Sequence, residues 1–277
     1  MSETKNLKTV VRYELLKQVR RRRFYGALGI TLFAILLTMG LYQGLNLPER
    51  MGLPAQLLER YDAEIFAMFV TSLSSLAVLG AVFFAGDSIA SEFEQRTGYI
   101  LFPNPVRRST IVMGKYLACL IATAAIIAAA YLTSAIGLAL FYGRIPSGIV
   151  GSMAIALILG AMVISLAFLF SSLLKGSVGS TIGTLLTYMV VFATISTFLS
   201  YAGYDPWFMP DRAADAMSAT YGISLEEMMS GTYGGGRWVS GLLRASQDPV
   251  LSFFVLAAYA WVFLVLSVVI TNRREMV

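Results

Sequence analysis

The run IVGSMAIALILGAMVISLAFLFSSLL, Ile149–Leu174, contains no Asp, Glu, Lys or Arg. As a helix it measures about 39 Å at 1.5 Å per residue, enough to cross a bilayer core about 30 Å thick. One charge at the centre of a span costs about 2.5–3.5 kcal/mol, so a run this long without any reads as a transmembrane helix. Working outward, five more uncharged apolar runs stand along the chain: Tyr25–Leu47, Ile65–Gly86, Leu117–Tyr142, Val178–Gly203 and Val250–Thr271. The segment Gly143–Gly148, with Arg144 and Pro146, separates the third run from the fourth, because proline interrupts an apolar helix. The fold class expected is therefore an all-α integral membrane protein with six transmembrane helices and no soluble domain of its own.

Composition agrees. Of 277 residues, 57% are hydrophobic and 13% charged; a globular domain carries about a quarter charged residues and could not cover this much apolar surface. Histidine is absent, which excludes His-based triads and His-ligated zinc or haem. The single cysteine, Cys119, lies in an apolar run and cannot form an intrachain disulfide; it reads as a small buried hydrophobe. The first apolar run is too long and too far from the start for a cleavable signal and is expected to stay as an anchor.

Orientation follows from the bases. With the N-terminus inside, fifteen of the 21 Lys and Arg residues fall on inner segments, while ten of the 16 acids fall on outer ones. Both termini are expected in the cytoplasm of a multi-pass protein of the cell membrane. The net charge of +5 is thus a topology signal. Because the bases flank spans, a nucleic-acid partner is not expected. The domain map is a cytoplasmic or interfacial segment, residues 1–24, then a six-span domain, 25–277, with an inner loop 87–116 and a large outer loop 204–249.

Residues Lys5–Phe24 are expected as a basic amphipathic helix, with Leu7, Val10, Val11, Leu15 and Val19 on one half and Lys8, Arg12, Arg20 and Arg23 largely on the other. Glu14 and Gln18 interrupt the apolar face. Such a helix beside a span can lie in the interface against anionic membrane lipids.

The inner loop carries the most specific pattern: EFEQRTGYILFPNPVRR, Glu92–Arg108, then STIVMGKYLA. Ser88–Ile100 has helical spacing, and Pro103 and Pro105 stop any helix. The order of Glu92 and Glu94, Thr97-Gly98, Ile100-Leu101-Phe102, Pro105, Arg107-Arg108 and Gly114-Lys115 resembles the cytoplasmic loop of ABC-2-type transporter permeases. The stretch ISLAFLFSSLLKGSVGSTIG, Ile164–Gly183, resembles that family's apolar-Ser-Ser-Leu segment. The six-span layout extends the resemblance over nearly the whole chain; the outer loop is longer than in many members. The resemblance implies a permease subunit of an ABC exporter, paired as a homo- or heterodimer and driven by a separate ATPase subunit that binds ATP and Mg2+. It implies a coupling helix in the inner loop, with Glu92, Glu94, Arg96, Thr97 and Gly98 at the ATPase contact. No catalytic residue, metal or cofactor is expected in this chain.

An independent argument concerns energy. The six runs hold no ionisable Asp, Glu, Lys, Arg or His, so no proton relay is evident. No G-x-x-x-x-G-K-[ST] loop exists, since Gly114-Lys115 lacks the upstream glycine and precedes Tyr116. Sodium coupling through backbone carbonyls stays open.

Two hydroxyl groupings have two readings each. Ser180, Thr184, Thr187 and Thr194 form a stripe on the fifth run, and Thr71 and Ser75 stand with Ser72 and Ser74 on the second. They line a weakly polar passage for a hydrophobic or amphipathic substrate, or they return hydrogen bonds to their own backbone and join helices. In the outer loop Ser224 with Glu227 reads as a capping box, with Gly231 ending the helix and Gly234–Gly236 as a link. Two other functions share this layout: a membrane enzyme acting on lipids, with Asp205, Asp211, Asp215, Glu226 and Glu227 as candidates, and an assembly factor for a membrane complex.

Overall fold

The computed structural model describes residues 3–50, 55–73, 75–94, 107–174, 176–223 and 247–273. It is all-helical among these. The elements are α1 (Glu3–Arg20), α2 (Arg22–Gly44), α3 (Leu47–Arg50), α4 (Ala55–Ser72), α5 (Ser75–Ala85), α6 (Ala90–Glu94), α7 (Arg108–Tyr142), α8 (Gly148–Leu173), α9 (Ser177–Leu186), a π-helical stretch (Thr187–Phe192), α10 (Ala193–Tyr201), α11 (Pro210–Ala219) and α12 (Pro249–Arg273). The Ser224–Glu227 capping box and the glycines 231 and 234–236 lie outside the described residues.

Among the described residues, five helices are long and apolar enough to cross a membrane: α2, α7, α8, α12 and the continuous Ser177–Tyr201. They match five of the six expected spans. The remaining run, 65–86, is not one helix. It divides at Leu73 into α4 and α5. Hydroxyls compete for the backbone there: Thr71 Oγ1 donates to the Ala67 carbonyl, Ser72 Oγ to Phe69 and Ser75 Oγ to Ser72. Carbonyls claimed in this way favour a bend over a continuous α-ladder. α4 also starts ten residues before the uncharged run, and takes in Glu59, Arg60, Asp62 and Glu64.

The helix expected over Lys5–Phe24 is likewise divided. α1 ends at Arg20, and Arg21 is extended at φ −75°, ψ 137°. α7 begins nine residues before its apolar run. At 35 residues it measures about 52 Å and outreaches any bilayer core.

α8 is the axis of the bundle. Two-thirds (67%) of its spanning window is buried, against 11% for Ser177–Tyr201. It packs against α5, α7, α9, α11 and α12. Leu159, Met162, Ile164 and Phe168 of α8 are fully buried with Phe84 of α5 and Ile126 and Ile127 of α7. Ser267 Oγ of α12 donates to the Phe168 carbonyl at 3.0 Å. The apolar outer faces of α2, Ser177–Tyr201 and α12 remain exposed, Phe33, Phe198 and Trp261 among them. In a bilayer such faces meet lipid.

At the end opposite the arginine run Arg20–Arg23, α11 folds back onto the bundle against α4, α8 and α12, burying Ala213, Ala216 and Met217. Gly148 permits this approach: a Cβ there would stand 2.3 Å from the Thr220 carbonyl oxygen. Arg144 of the α7–α8 turn pairs with Asp62 and Glu64 in the middle of α4. A chain of buried hydroxyls runs inward from the same region. Tyr221 Oη donates to Thr71 Oγ1 at 3.1 Å and lies beside Ser152, whose Oγ is 2.7 Å from Tyr131 Oη.

Candidate functional site

The basic end of the bundle is organised by the segment from Gly86 to Glu94, which follows α5 and contains α6. Four helices and the joint between α1 and α2 fasten it.

Lys115 makes the central contact. It sits in the second turn of α7 with its side chain 4% exposed. A buried ammonium requires partners, and it has two carboxylates: Glu14 Oε1 of α1 at 2.9 Å and Glu92 Oε1 of α6 at 2.5 Å. Lys17 stands 3.7 Å from the other oxygen of Glu14. Burial alone raises the Glu14 carboxyl, but the Lys115 charge and hydrogen bond, aided by Lys17 and Arg21, hold it below the usual carboxylate range.

One turn along, Gln18 of α1 is buried and its Nε2 donates to the Phe84 carbonyl at 3.4 Å and to Cys119 Sγ at 3.5 Å. Ser88 Oγ donates to the same carbonyl and touches the same sulfur. Glu14 and Gln18 are four residues apart on α1, and Lys115 and Cys119 are four apart on α7, so contacts climb both helices in the same direction. Gly114 lets the helices close: a Cβ there would lie 2.5 Å from Val10 Cγ1.

The joint between α1 and α2 is held at Asp87. Arg21 Nη1 and Arg23 Nη1 stand 3.0 and 2.9 Å from Asp87 Oδ2. The extended backbone at Arg21 is what brings both guanidinium groups to one carboxylate. From α8, Ser171 Oγ accepts the amides of Ile89 and Ala90 at 3.0 and 2.8 Å, satisfying donors at the start of α6. At its far end Glu94 reaches α9. Its Oε2 accepts the Ser177 amide at 3.0 Å and the Ser177 hydroxyl at 2.7 Å. A carboxylate at a helix N-terminus is favoured by the free amides there, and the Ser177 hydroxyl and then its amide hold the Glu94 carboxyl below its ordinary value.

The expected contact residues thus fall in different places. Glu92 is buried in an intramolecular ion pair. Glu94 is exposed and caps α9. Arg96, Thr97 and Gly98 lie outside the described residues. Of the hydroxyls, Thr71, Ser180 and Thr184 are buried, Ser75 and Thr187 are half-buried and Thr194 is exposed. The Thr71, Ser75 and Thr184 hydroxyls donate to carbonyls of their own segments. Ser180 Oγ has no partner among the described residues. Thr187 opens the π-helical stretch, a feature that frequently marks functional sites. Of the outer-loop acids, Asp211 accepts a hydrogen bond from Ser196 Oγ of α10 at 2.6 Å, and Asp215 faces Arg212. Glu226 and Glu227 lie outside the described residues. No group of three metal-ligating side chains occurs among the described residues.

Sequence reading missed Glu14, Gln18, Asp87 and Ser171. The available signal was the polar pair on the apolar face of α1, at a spacing repeated by Lys115 and Cys119.

Fold and composition together define a helical membrane protein. Residues 54–277 match the DUF2705 family, described as a protein of unknown function, and the chain belongs to that family. No curated protein matches it.

Proposed function

We propose that this chain is the membrane-spanning subunit of an ABC transporter of the ABC-2 type in the cell membrane. It acts as a homo- or heterodimer and exports a hydrophobic or amphipathic substrate. ATP and Mg2+ bind to a separate ATPase subunit. In this reading α4 and α5 together supply the sixth crossing, the termini face the cytoplasm, and Arg96, Thr97 and Gly98 meet the ATPase.

One observation supports the reading most. The segment ending at Glu94 is bonded to the α1–α2 joint, α2, α7, α8 and α9 at once, through Asp87, Ser171, Glu92 and Glu94. A force applied just beyond Glu94 would be delivered to the base of most of the bundle, as a partner subunit pressing on the loop requires. The uncharged spans and the missing nucleotide loop add to it. Glu92, buried against Lys115, positions α6 against α7.

The test is site-directed crosslinking. Cys119 is the sole cysteine, so Thr97→Cys on a Cys119→Ser background gives one reactive thiol. Photocapture of a nucleotide-binding subunit by benzophenone-4-maleimide attached to that thiol, which inserts into a C–H bond of whatever lies against it, is expected at residue 97 and not from Thr194→Cys on the far half of the fifth span. Equal capture from both, or from neither, would remove the coupling role.

A further inference from the structure

A groove of about 360 Å³ opens sideways between α2 and α5, within the range of about 300–1,000 Å³ typical of ligand pockets. Arg23, Gly26 and Ile30 line it from α2; Leu76, Gly80 and Phe83 line it from α5. Each set repeats at three and four residues, so two helical faces meet, and they run in opposite directions. Arg23 lies against the Phe83 carbonyl, and Ala27 Cβ lies 3.0 Å from where a Cβ of Gly80 would be. Absent side chains at the glycines make the groove: a Cβ at Gly26 would meet nothing within 4 Å. Over the eight residues from Arg23 to Ile30 it is about 12 Å long. Its walls are apolar apart from the Thr31 hydroxyl at one end and Arg23 at the other.

That end carries the charge. Arg23 is 57% exposed, and both its contacts run through Nη1, to Asp87 and to the Phe83 carbonyl. Nη2 and Nε make no bond among the described residues. Arg20 and Arg22, also exposed, extend the positive surface there. A slot for a chain, apolar along its length and cationic at the end where the first span begins, has the shape and polarity of one membrane lipid. We infer that the groove between α2 and α5 binds an anionic phospholipid, with an acyl chain along Gly26, Ile30 and Gly80 and the phosphate on Arg23. The occupant is a lipid and not a free phosphate, because the apolar length of the slot has no use for the latter. Two positive charges already meet on Asp87 at this joint, so the lipid phosphate supplies the second anion and steadies the turn between α1 and α2.

Native mass spectrometry of the delipidated full chain in a non-ionic detergent tests this, with dioctanoyl phosphatidylglycerol, dioctanoyl phosphatidylcholine and glycerol 3-phosphate as probes. Phosphatidylglycerol is expected to bind at least about tenfold more tightly than phosphatidylcholine, as head-group attraction to arginine requires. Gly26→Leu, whose side chain enters open space and leaves the packed core untouched, is expected to abolish binding of both lipids. Arg23→Gln is expected to erase only the preference for phosphatidylglycerol. Equal binding of the two lipids to the unaltered chain, or undiminished phosphatidylglycerol binding to Gly26→Leu, would overturn the proposal. Displacement by glycerol 3-phosphate at the concentration of the lipid would overturn it as well, since the acyl chain would then contribute nothing. The outcome is independent of the ATPase partner.

Discussion

Lys115 Nζ lies 2.9 Å from Glu14 Oε1, tying the first helix of the chain to a helix that begins at Arg108. The same ammonium holds Glu92. The three helices α1, α6 and α7 therefore share one buried ammonium, and removing it leaves two carboxylates without their common partner.

Lys115→Met is expected to destabilise the protein by about 3–5 kcal/mol, the usual cost of stranding a buried charge. Adding Glu14→Gln and Glu92→Gln to it should restore most of that loss, because no unpaired charge then remains. Thermal unfolding in detergent checks both variants. Losses that simply add would show that the three residues act separately.

Gly114→Ala should weaken the seam between α1 and α7. In an isolated helix the change is favourable by about 1 kcal/mol, but here the new methyl meets Val10 Cγ1 at 2.5 Å. A net loss of about 1–3 kcal/mol is expected from overpacking. Val10→Ala removes the Cγ1 contact but leaves its own Cβ at 3.0 Å, so it should recover part of the loss, and the double variant's unfolding midpoint reads the outcome.

Gly148→Ala makes a stricter case at the other end. The added Cβ would face the Thr220 backbone carbonyl at 2.3 Å, so no trimming of the Thr220 side chain can relieve it. Hydrogen exchange should quicken across α11, and Gly148→Ala/Thr220→Ala should be no better than Gly148→Ala alone.

Glu94 gives the junction a pH dependence of fixed sign. Its carboxyl is held below the ordinary 4.5 by the Ser177 hydroxyl and amide. A depressed carboxylate stabilises the fold above its ordinary value, and that contribution is lost as the pH falls through the folded-state value. The unfolding midpoint of the unaltered chain should exceed that of Glu94→Gln near neutral pH, and the gap should close as the pH falls below the ordinary carboxylate value. Glu14, depressed by Lys115, acts in the same direction, so both should fade together on acidification.

Much of the fold is legible in the chain because charge exclusion is a strong constraint. Ile149–Leu174 and four other runs each became a helix long enough to span. The second run did not, because an uncharged window gives no weight to hydroxyls. Ser72 and Ser75 are neutral, yet they take up the carbonyls of Phe69 and Ser72 and divide the run. The early start of α7 follows from local chemistry as well. Pro105 is the last residue before Leu117 that forbids a helix, so nothing stops the helix from Arg108 onward and Lys115 belongs to it. The junction was only half visible. Glu92 and Glu94 stand in a recognisable pattern, but their partners Lys115 and Ser177 are set by packing. Glu14 and Gln18 looked like flaws in an amphipathic face because the matching pair, Lys115 and Cys119, lies about a hundred residues away.

The central claim, that a nucleotide-burning partner drives this chain from its basic end, is tested most directly by tagging the chain in its native membrane and purifying it in mild detergent. The account expects a second subunit bearing a G-x-x-x-x-G-K-[ST] loop in the eluate, with vanadate-sensitive hydrolysis of Mg-ATP that falls several-fold in Lys115→Met. An eluate without any nucleotide-binding subunit, from a chain that nonetheless moves its cargo along an ion gradient, would contradict it.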